Sequence, residues 1–301
     1  MPRTPDAIVV GGGLIGCLAA RALADDGRRV TLFERGAVLG GKASTAAAGM
    51  LSPQMEWAED LLVEAGPDAA GRIDAMLDLG IAARERWPAF AAALEAETGH
   101  RLQYRDEGTL VVALTDEEAA ELEMRAGGQR RRGLRAEWLD PGRLRELEPG
   151  IARTARGALY IPDDRQVDPL RLMAAAAAAL AARPGVRVEA ETAVDAIQSA
   201  AGKVTGVAIE GGSGVERGAA EAELVVLAAG AWSAGIAGLP RPLAVRPVKG
   251  QMAALRPASM PIRHVVGGRG AYCVPRDDGR VVVGATVEDA GFDERVDPVA
   301  V

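Results

Sequence analysis

The chain has 301 residues, of which 49% are hydrophobic and 26% are charged, and this composition argues against a disordered or membrane-spanning protein. Its 42 acidic and 35 basic residues give a formal net charge of -7, so the chain lacks the basic excess that nucleic-acid binding requires. The 2 cysteines and 2 histidines have no metal-ligand spacing and predict neither a disulfide framework nor a metal site.

The N-terminus predicts a strand, a glycine-rich turn and a helix in direct succession. An apolar strand over residues 7–10 is followed by the sequence GGGLIG, which fits the pattern GxGxxG, and residues 14–24 have the composition of a helix. In this pattern the first glycine permits a tight turn, the second lets the backbone approach a pyrophosphate, and the third lets helix and strand pack closely. We therefore expect a dinucleotide diphosphate at the start of the helix. Its predicted contacts are Gly11, Gly13, Leu14, Ile15 and Gly16.

A second strand over residues 29–33 leads to Glu34, which lies 18 residues after Gly16. A carboxylate at this position accepts hydrogen bonds from the adenosine ribose in dinucleotide-binding folds. Glu34 and the next residue, Arg35, are therefore predicted cofactor contacts. The pattern alone leaves FAD and NAD open as the cofactor.

Residues 39–54, which we call the small-residue segment, have the sequence LGGKASTAAAGMLSPQ. This segment resembles the glycine oxidase branch of the D-amino-acid oxidase family, in which such a stretch passes beside the diphosphate and the isoalloxazine ring of FAD. The resemblance implies FAD as the cofactor. It also implies contacts from Ser44, Thr45, Ala46, Ala48, Gly49 and Met50. Judged from the residues alone, a flexible Ala/Gly loop is the alternative.

The middle of the chain predicts a second lobe inserted between cofactor-binding segments. A helix is expected over residues 70–99, a strand over 108–114, and a further helix that begins with the capping box TDEE at 115–118. A short helix is expected over 140–149, and a long one over 170–182.

Two later segments also resemble the family's cofactor-binding elements. A strand over 186–188 leads to Val194, where related flavoproteins bring backbone groups to the adenine. Residues 223–233, ELVVLAAGAWS, resemble the second strand-to-glycine turn and imply contacts from Ala229, Gly230 and Trp232. Lys249 is either a functional charge near the flavin or a solvated or paired lysine.

A hairpin is predicted where YCVPRDDGR, residues 272–280, is followed by a returning strand over 281–288. The resemblance implies that the Tyr272 hydroxyl binds the substrate carboxylate; a buried edge-strand aromatic is the alternative. Val287 falls where a close relative has methionine, which implies a role in the substrate pocket. Arg276 and Arg280 flank the turn and are expected to be exposed.

The family usually continues with an LRPG-type segment, whose arginine pairs with the substrate carboxylate, and with a glycine-rich stretch against the flavin. Neither is found before Val301. A bidentate arginine contact combines charge with orientation, so we expect weak or absent turnover from this chain alone. An inactive flavin-binding fragment is therefore one alternative.

The resemblance implies an α/β fold in which a Rossmann-like FAD-binding domain, residues 1–84 and 149–241, carries a discontinuous α+β substrate domain, residues 85–148 and 242–301. The implied reaction is oxidation of glycine or a related small amino acid or secondary amine. Hydride passes to flavin N5 and then to oxygen as peroxide, and in bacteria the family serves thiazole synthesis for thiamine. A flavin dehydrogenase with another electron acceptor is the alternative. We expect a cytoplasmic protein whose partners are a small amine and molecular oxygen, and leave homo-oligomerisation open.

Overall fold

The computed structural model describes residues 4–57, 67–210 and 218–299; the outermost residues of the predicted domains, 1–3 and 300–301, lie outside these ranges. The strands are β1 (Ala7–Val10), β2 (Val30–Phe33), β3 (Met50–Leu51), β4 (Thr109–Ala113), β5 (Glu137–Leu139), β6 (Gly157–Ile161), β7 (Arg165–Gln166), β8 (Val186–Glu189), β9 (Ala193–Ala200), β10 (Lys203–Glu210), β11 (Gly218–Glu221), β12 (Leu224–Leu227), β13 (Met252–Leu255), β14 (Val265–Gly268), β15 (Ala271–Pro275) and β16 (Val281–Gly284). The helices are α1 (Leu14–Asp25), α2 (Ala43–Ala46), α3 (Pro67–Thr98), α4 (Asp116–Arg131), α5 (Pro141–Leu147) and α6 (Pro169–Ala181), with a 3-10 helix over Gly230–Gly235.

A four-stranded parallel sheet, in the order β12-β1-β2-β8, forms the base of the predicted cofactor side. Alternate residues of β1 and β2 pack on one face against α1 and α6, as shown by the buried cluster of Val9, Leu32, Cys17 and Met173. The opposite face packs against the antiparallel sheet β11-β10-β9. Strands buried on both faces need near-continuous apolar sequence, which explains the run AIVV in β1.

A mixed sheet of seven strands, in the order β13-β16-β15-β14-β4-β6-β5, forms the other lobe. Helix α4 packs on one face through Leu122 and Ala126, and α5 packs on the other through Leu144. Thr115 caps α4 by accepting the N–H of Glu118 at 3.2 Å, as its sequence predicts. The α/β fold with a Rossmann-like domain is therefore confirmed.

The pairing differs from the predicted domain ranges at one point. Strand β6 falls in a range predicted for the cofactor domain, yet it pairs with β4 over five residues and belongs to the seven-stranded sheet. Helix α3 also continues through the predicted boundary at residue 84. The exact ranges remain a prediction.

The returning strand of the hairpin is shorter than predicted, because β16 ends at Gly284 rather than at residue 288. In the part of the chain that the structure describes, no helix has both the length and the apolarity needed to cross a membrane.

Candidate cofactor and substrate site

The glycine-rich turn holds α1 against the end of β1. A Cβ atom on Gly16 would lie 1.8 Å from the carbonyl oxygen of Gly11, so only glycine permits this approach of helix and strand. Gly13 is the N-cap of α1 and provides no side-chain hydrogen bond, and the first turn contains no acidic residue. The first N–H groups of a helix lack intrahelical partners and bind anions well. Ile15, in this first turn, is 72% exposed, so the helix end is accessible.

Glu34 lies beside this turn, at the end of β2. One carboxylate oxygen accepts the N–H of Gly12 at 2.7 Å, and the other accepts the N–H of Gly36 at 2.7 Å. Glu34, the residue predicted to bind the ribose, is therefore hydrogen-bonded to the backbone of the GxGxxG turn. The Glu34 carboxylate also links the glycine-rich turn at Gly12 to the loop at Gly36.

The first half of the small-residue segment packs against the same helix end. Ser44, in α2, accepts the N–H of Leu14 at 2.9 Å. The Thr45 hydroxyl donates to the carbonyl of Gly40 at 2.7 Å, and Gly40 in turn donates to the carbonyl of Gly12 at 2.9 Å. These bonds give the segment a defined conformation, whereas the neighbouring Ala46 side chain is exposed.

Arg35 and Trp232 lie together although they are far apart in sequence. The guanidinium carbon of Arg35 lies 3.7 Å from the centroid of the Trp232 ring, which is a cation–π distance. Phe292 stacks against Trp232 with ring centroids 5.3 Å apart. Gly230 begins the 3-10 helix that carries Trp232, and Ala229 packs under it against the cluster between the two sheets. Phe292 was not predicted, because no motif marks its position.

The backbone that leads to Val194 passes directly beside Glu34. The N–H of Thr192 donates to the carbonyl of Glu34 at 2.9 Å, and the N–H of Glu191 donates to the carbonyl of Gly36 at 3.0 Å. Val194 itself packs against the cluster between the parallel and antiparallel sheets. The predicted adenine contact is thus close to the predicted ribose ligand.

The second half of the small-residue segment meets the hairpin of the other lobe. Ala48 is buried with Val265 and Val274, and Met50 and Tyr272 pack against them. Residues predicted for the cofactor and for the substrate therefore share one apolar cluster. Met252 and Val282 also pack against this cluster, and the Met252 sulfur accepts the Tyr272 hydroxyl at 3.1 Å.

The environment of Tyr272 keeps its hydroxyl protonated. Burial raises the pKa of Tyr272 above its ordinary value of 10.0, and the nearby carboxylate of Glu56 acts in the same direction. A neutral phenol can donate a hydrogen bond to a carboxylate. Val287 does not join this cluster: its side chain is 85% exposed, and its role in the pocket remains a prediction.

The prediction that Arg276 is exposed is wrong. The side chain is 3% exposed, and its guanidinium donates to the carbonyls of Val167, at 2.9 Å, and Ala48. Strand β15 ends at Pro275, and the side chain of the next residue, Arg276, reaches β7 and the small-residue segment. Arg280 is partly buried and pairs with Asp168 at 3.1 Å. Neither arginine is a freely exposed turn residue.

Lys249 is a paired lysine in this structure. Its ammonium donates to the carbonyl of Arg295 at 2.7 Å and lies 3.6 Å from the Glu288 carboxylate. These partners favour the second of the two interpretations that its sequence leaves open.

A buried polar network at the end of the small-residue segment was also not predicted. Arg84, from α3, donates to the amide oxygen of Gln54 at 2.6 Å and pairs with Asp164 at 3.1 Å. Gln54 donates to Gln129 of α4 at 3.0 Å. Asp164 also accepts the N–H of Met55 at 3.1 Å. Four segments that are distant in sequence meet here, and local sequence patterns do not reveal such contacts.

The arrangement fits a dinucleotide cofactor such as FAD. The first turn of α1 is accessible and contains no acidic residue, the Glu34 carboxylate lies at the end of β2, and the small-residue segment leads to an apolar cluster. A Cβ atom on Gly13 would lie 3.0 Å from the Ser44 hydroxyl, so any larger residue there would have to displace Ser44. The family model described as "DAO: FAD dependent oxidoreductase" matches residues 6–301. The chain belongs to this family.

Individual relatives agree with this assignment. The glycine oxidase of Geobacillus kaustophilus is 34% identical over 300 residues, which are 98% of this chain and 74% of that protein. The bifunctional protein ThiO/ThiG of Synechocystis is 34% identical over 97% of this chain and 40% of its own length. The crystal structure of the Geobacillus kaustophilus glycine oxidase matches with a TM-score of 0.85 and 33% identity, covering 98% of this chain and 75% of that one. FAD is therefore the cofactor, and the resemblance to glycine oxidases is confirmed.

Proposed function

We propose that the protein oxidises the amine group of glycine or of a related small amino acid or secondary amine. The observation that carries this proposal is the shared cluster of Ala48, Met50 and Tyr272. It joins the segment implied to face the flavin with the residue implied to bind the substrate carboxylate. The names of the relatives, glycine oxidases among them, support the same substrate class.

The residues of the cluster have two different roles in substrate binding: one donates a hydrogen bond, and the others form an apolar wall. The Tyr272 hydroxyl donates to the Met252 sulfur, a weak acceptor, and on substrate binding it turns to donate to the substrate carboxylate, which orients the α-carbon. Val265 and Val274 are buried beneath it and exclude water from this side of the pocket. The amine, once deprotonated, needs no protein base to drive loss of hydride.

The bound flavin supplies the two-electron acceptor, so that an amino acid, oxygen and water give an oxo acid, ammonia and hydrogen peroxide. In this balance the α-carbon loses a hydride, the nitrogen loses a proton, and water hydrolyses the resulting imine. For glycine the oxo acid is glyoxylate. The resemblance extends the proposal to thiazole synthesis for thiamine, and the ThiO/ThiG relatives support that extension.

The test is reduction of the bound cofactor by candidate amines. The FAD-loaded protein is mixed anaerobically with glycine, sarcosine or D-alanine, and the visible absorption of the flavin is followed. We expect bleaching by at least one of them, although slowly, since weak turnover is expected of this chain; no bleaching at any concentration would contradict the proposal and favour the alternative of an inactive flavin-binding fragment. Readmission of oxygen then separates an oxidase, which produces peroxide, from a dehydrogenase that needs another acceptor.

A further inference from the structure

Arg276 is a buried cation whose hydrogen bonds go to backbone and amide oxygens. Its guanidinium donates to the carbonyls of Val167 and Ala48, and one nitrogen lies 3.5 Å from the side-chain oxygen of Gln166. Among the described residues, no carboxylate lies within ion-pair distance of it. A buried charge is costly unless it is well bonded, so these oxygens must stay in place around it.

The oxygens belong to two segments that meet at Gly49. The Val167 N–H donates to the carbonyl of Gly49 at 2.9 Å, and β3 pairs with β7 immediately afterwards. Gly49 has φ +71°, and a Cβ atom there would lie 2.0 Å from the Val167 carbonyl and 3.2 Å from the Arg276 guanidinium. The chain thus passes under Arg276 in a conformation that favours glycine.

Arg276 follows β15, the strand that carries Tyr272. Its backbone N–H donates to the carbonyl of Arg280 at 2.8 Å and anchors it in the hairpin. A single rigid side chain therefore connects the hairpin with residues 48–50. Arg suits such a role because its planar fork can bond two carbonyls at once, whereas lysine offers a point charge.

We propose that Arg276 is a positioning residue, which sets the spacing between the flavin-facing residues 48–50 and the hairpin that bears Tyr272. The inference rests on the proposed function, because residues 48–50 are assigned to the flavin by resemblance. Arg276 is not a substitute for a substrate-binding arginine, since both of its terminal nitrogens already donate to protein oxygens. Its contribution is to hold Ala48 and Tyr272 on facing sides of one site.

The experiment compares Arg276→Lys and Arg276→Gln with Arg280→Gln, which changes the same hairpin but leaves the bonds to Ala48 and Val167 intact. Each protein is titrated with FAD, and the absorption and circular dichroism of the bound flavin are recorded without substrate. We expect roughly 10-fold weaker FAD binding and an altered flavin spectrum for Arg276→Gln, partial recovery in Arg276→Lys, and no change in Arg280→Gln.

A purely structural role makes a different prediction. If the Arg276 variants lost thermal stability but bound FAD with wild-type affinity and spectrum, the proposal would be wrong. Failure of both variants to fold would overturn it as well. These readouts need no amine, so they test Arg276 even if no amine reduces the wild-type flavin and the proposed function fails.

Discussion

The Ser44 hydroxyl accepts the N–H of Leu14 at 2.9 Å, across 30 residues of sequence. This bond joins the small-residue segment to the first turn of α1, the two parts implied to enclose the cofactor diphosphate. Because they meet so closely, a Cβ atom on Gly13 would lie 3.0 Å from the same hydroxyl. A side chain at position 13 would therefore press on Ser44 and on the bond that Ser44 makes to the first turn of α1.

Replacing Gly13→Ala should weaken FAD binding by roughly 10-fold, or about 1.4 kcal/mol. The added methyl group pushes the segment away and blocks the approach of the backbone to the pyrophosphate. FAD titration followed by flavin fluorescence measures the effect. Gly71→Ala is the matched control, because a Cβ atom on Gly71 meets nothing within 4 Å. Equal FAD affinity of the two variants would show that space at Gly13 does not limit binding.

The substitution Glu34→Gln should lower the free energy of unfolding of the FAD-free protein. It should also lower the affinity for FAD. The two carboxylate oxygens accept the N–H groups of Gly12 and Gly36, and an amide nitrogen cannot accept either. One unsatisfied N–H costs about 1–3 kcal/mol, which urea unfolding of the FAD-free protein will measure. The exposed Glu191→Gln is the control, and a similar loss in both variants would argue against this role for Glu34.

Replacing Tyr272→Phe should raise KM for the amino acid by about 10-fold to 100-fold, with a smaller effect on kcat. The lost hydrogen bond to a charged carboxylate is worth about 1.5–3 kcal/mol in binding. Steady-state kinetics, or the substrate dependence of anaerobic bleaching, gives the apparent affinity. Tyr160→Phe is the control in the same sheet, since its hydroxyl donates to the Glu107 carbonyl at 3.0 Å, remote from the cluster.

The pH dependence gives a second test of Tyr272. Burial raises the pKa of this phenol above 10.0, so the donor form persists up to that pH and is lost only as pH rises through the higher folded value. The difference in KM between wild type and Tyr272→Phe should therefore stay constant from pH 7 to about 9.5. A difference that disappears within this range would contradict the assignment of the hydroxyl as the donor.

Local patterns were sufficient to predict the first strand, glycine turn and helix of the parallel sheet. The order of strand, glycine turn, helix and terminal carboxylate depends on neighbouring residues, so β1, α1 and Glu34 were found directly. The hairpin at Asp278 and Gly279 follows from turn chemistry in the same way. The predicted helices over 70–99 and 140–149 also agree with α3 and α5 to within a few residues.

Local sequence patterns could not predict the contacts between segments that are distant in sequence. Arg276 looked like an exposed turn residue because its partners, Ala48 and Val167, are more than 100 residues away. The pairing of β6 with β4 was not predicted, because a short apolar run does not identify the strand beside it. The stacking of Phe292 on Trp232 was not predicted either, because the two residues are far apart in sequence.

Replacing Asp164→Asn should flatten the pH dependence of stability. Burial raises the pKa of the Asp164 carboxyl from 3.8 to about 7, against the opposing effect of Arg84. Between these two values the folded state binds more protons than the unfolded state, so the free energy of unfolding falls as pH rises. The wild type should lose on the order of a few kcal/mol across this window, and the variant should not.

The comparison concerns slopes, because Asp164→Asn also alters the hydrogen bonds to Arg84 and to the Met55 N–H, and this effect on stability is the same at every pH. Urea unfolding at pH 5, 6, 7 and 8 gives the slope for each protein. Asp163→Asn is a neighbouring control: burial opposes the shift, but Arg135 and other cations hold the pKa of Asp163 below its usual range. Its titration falls below pH 4, so this variant should keep the wild-type slope. If Asp164→Asn also kept that slope, the carboxyl of Asp164 would be ionised throughout the window, and the Arg84 ion pair would outweigh the cost of burial.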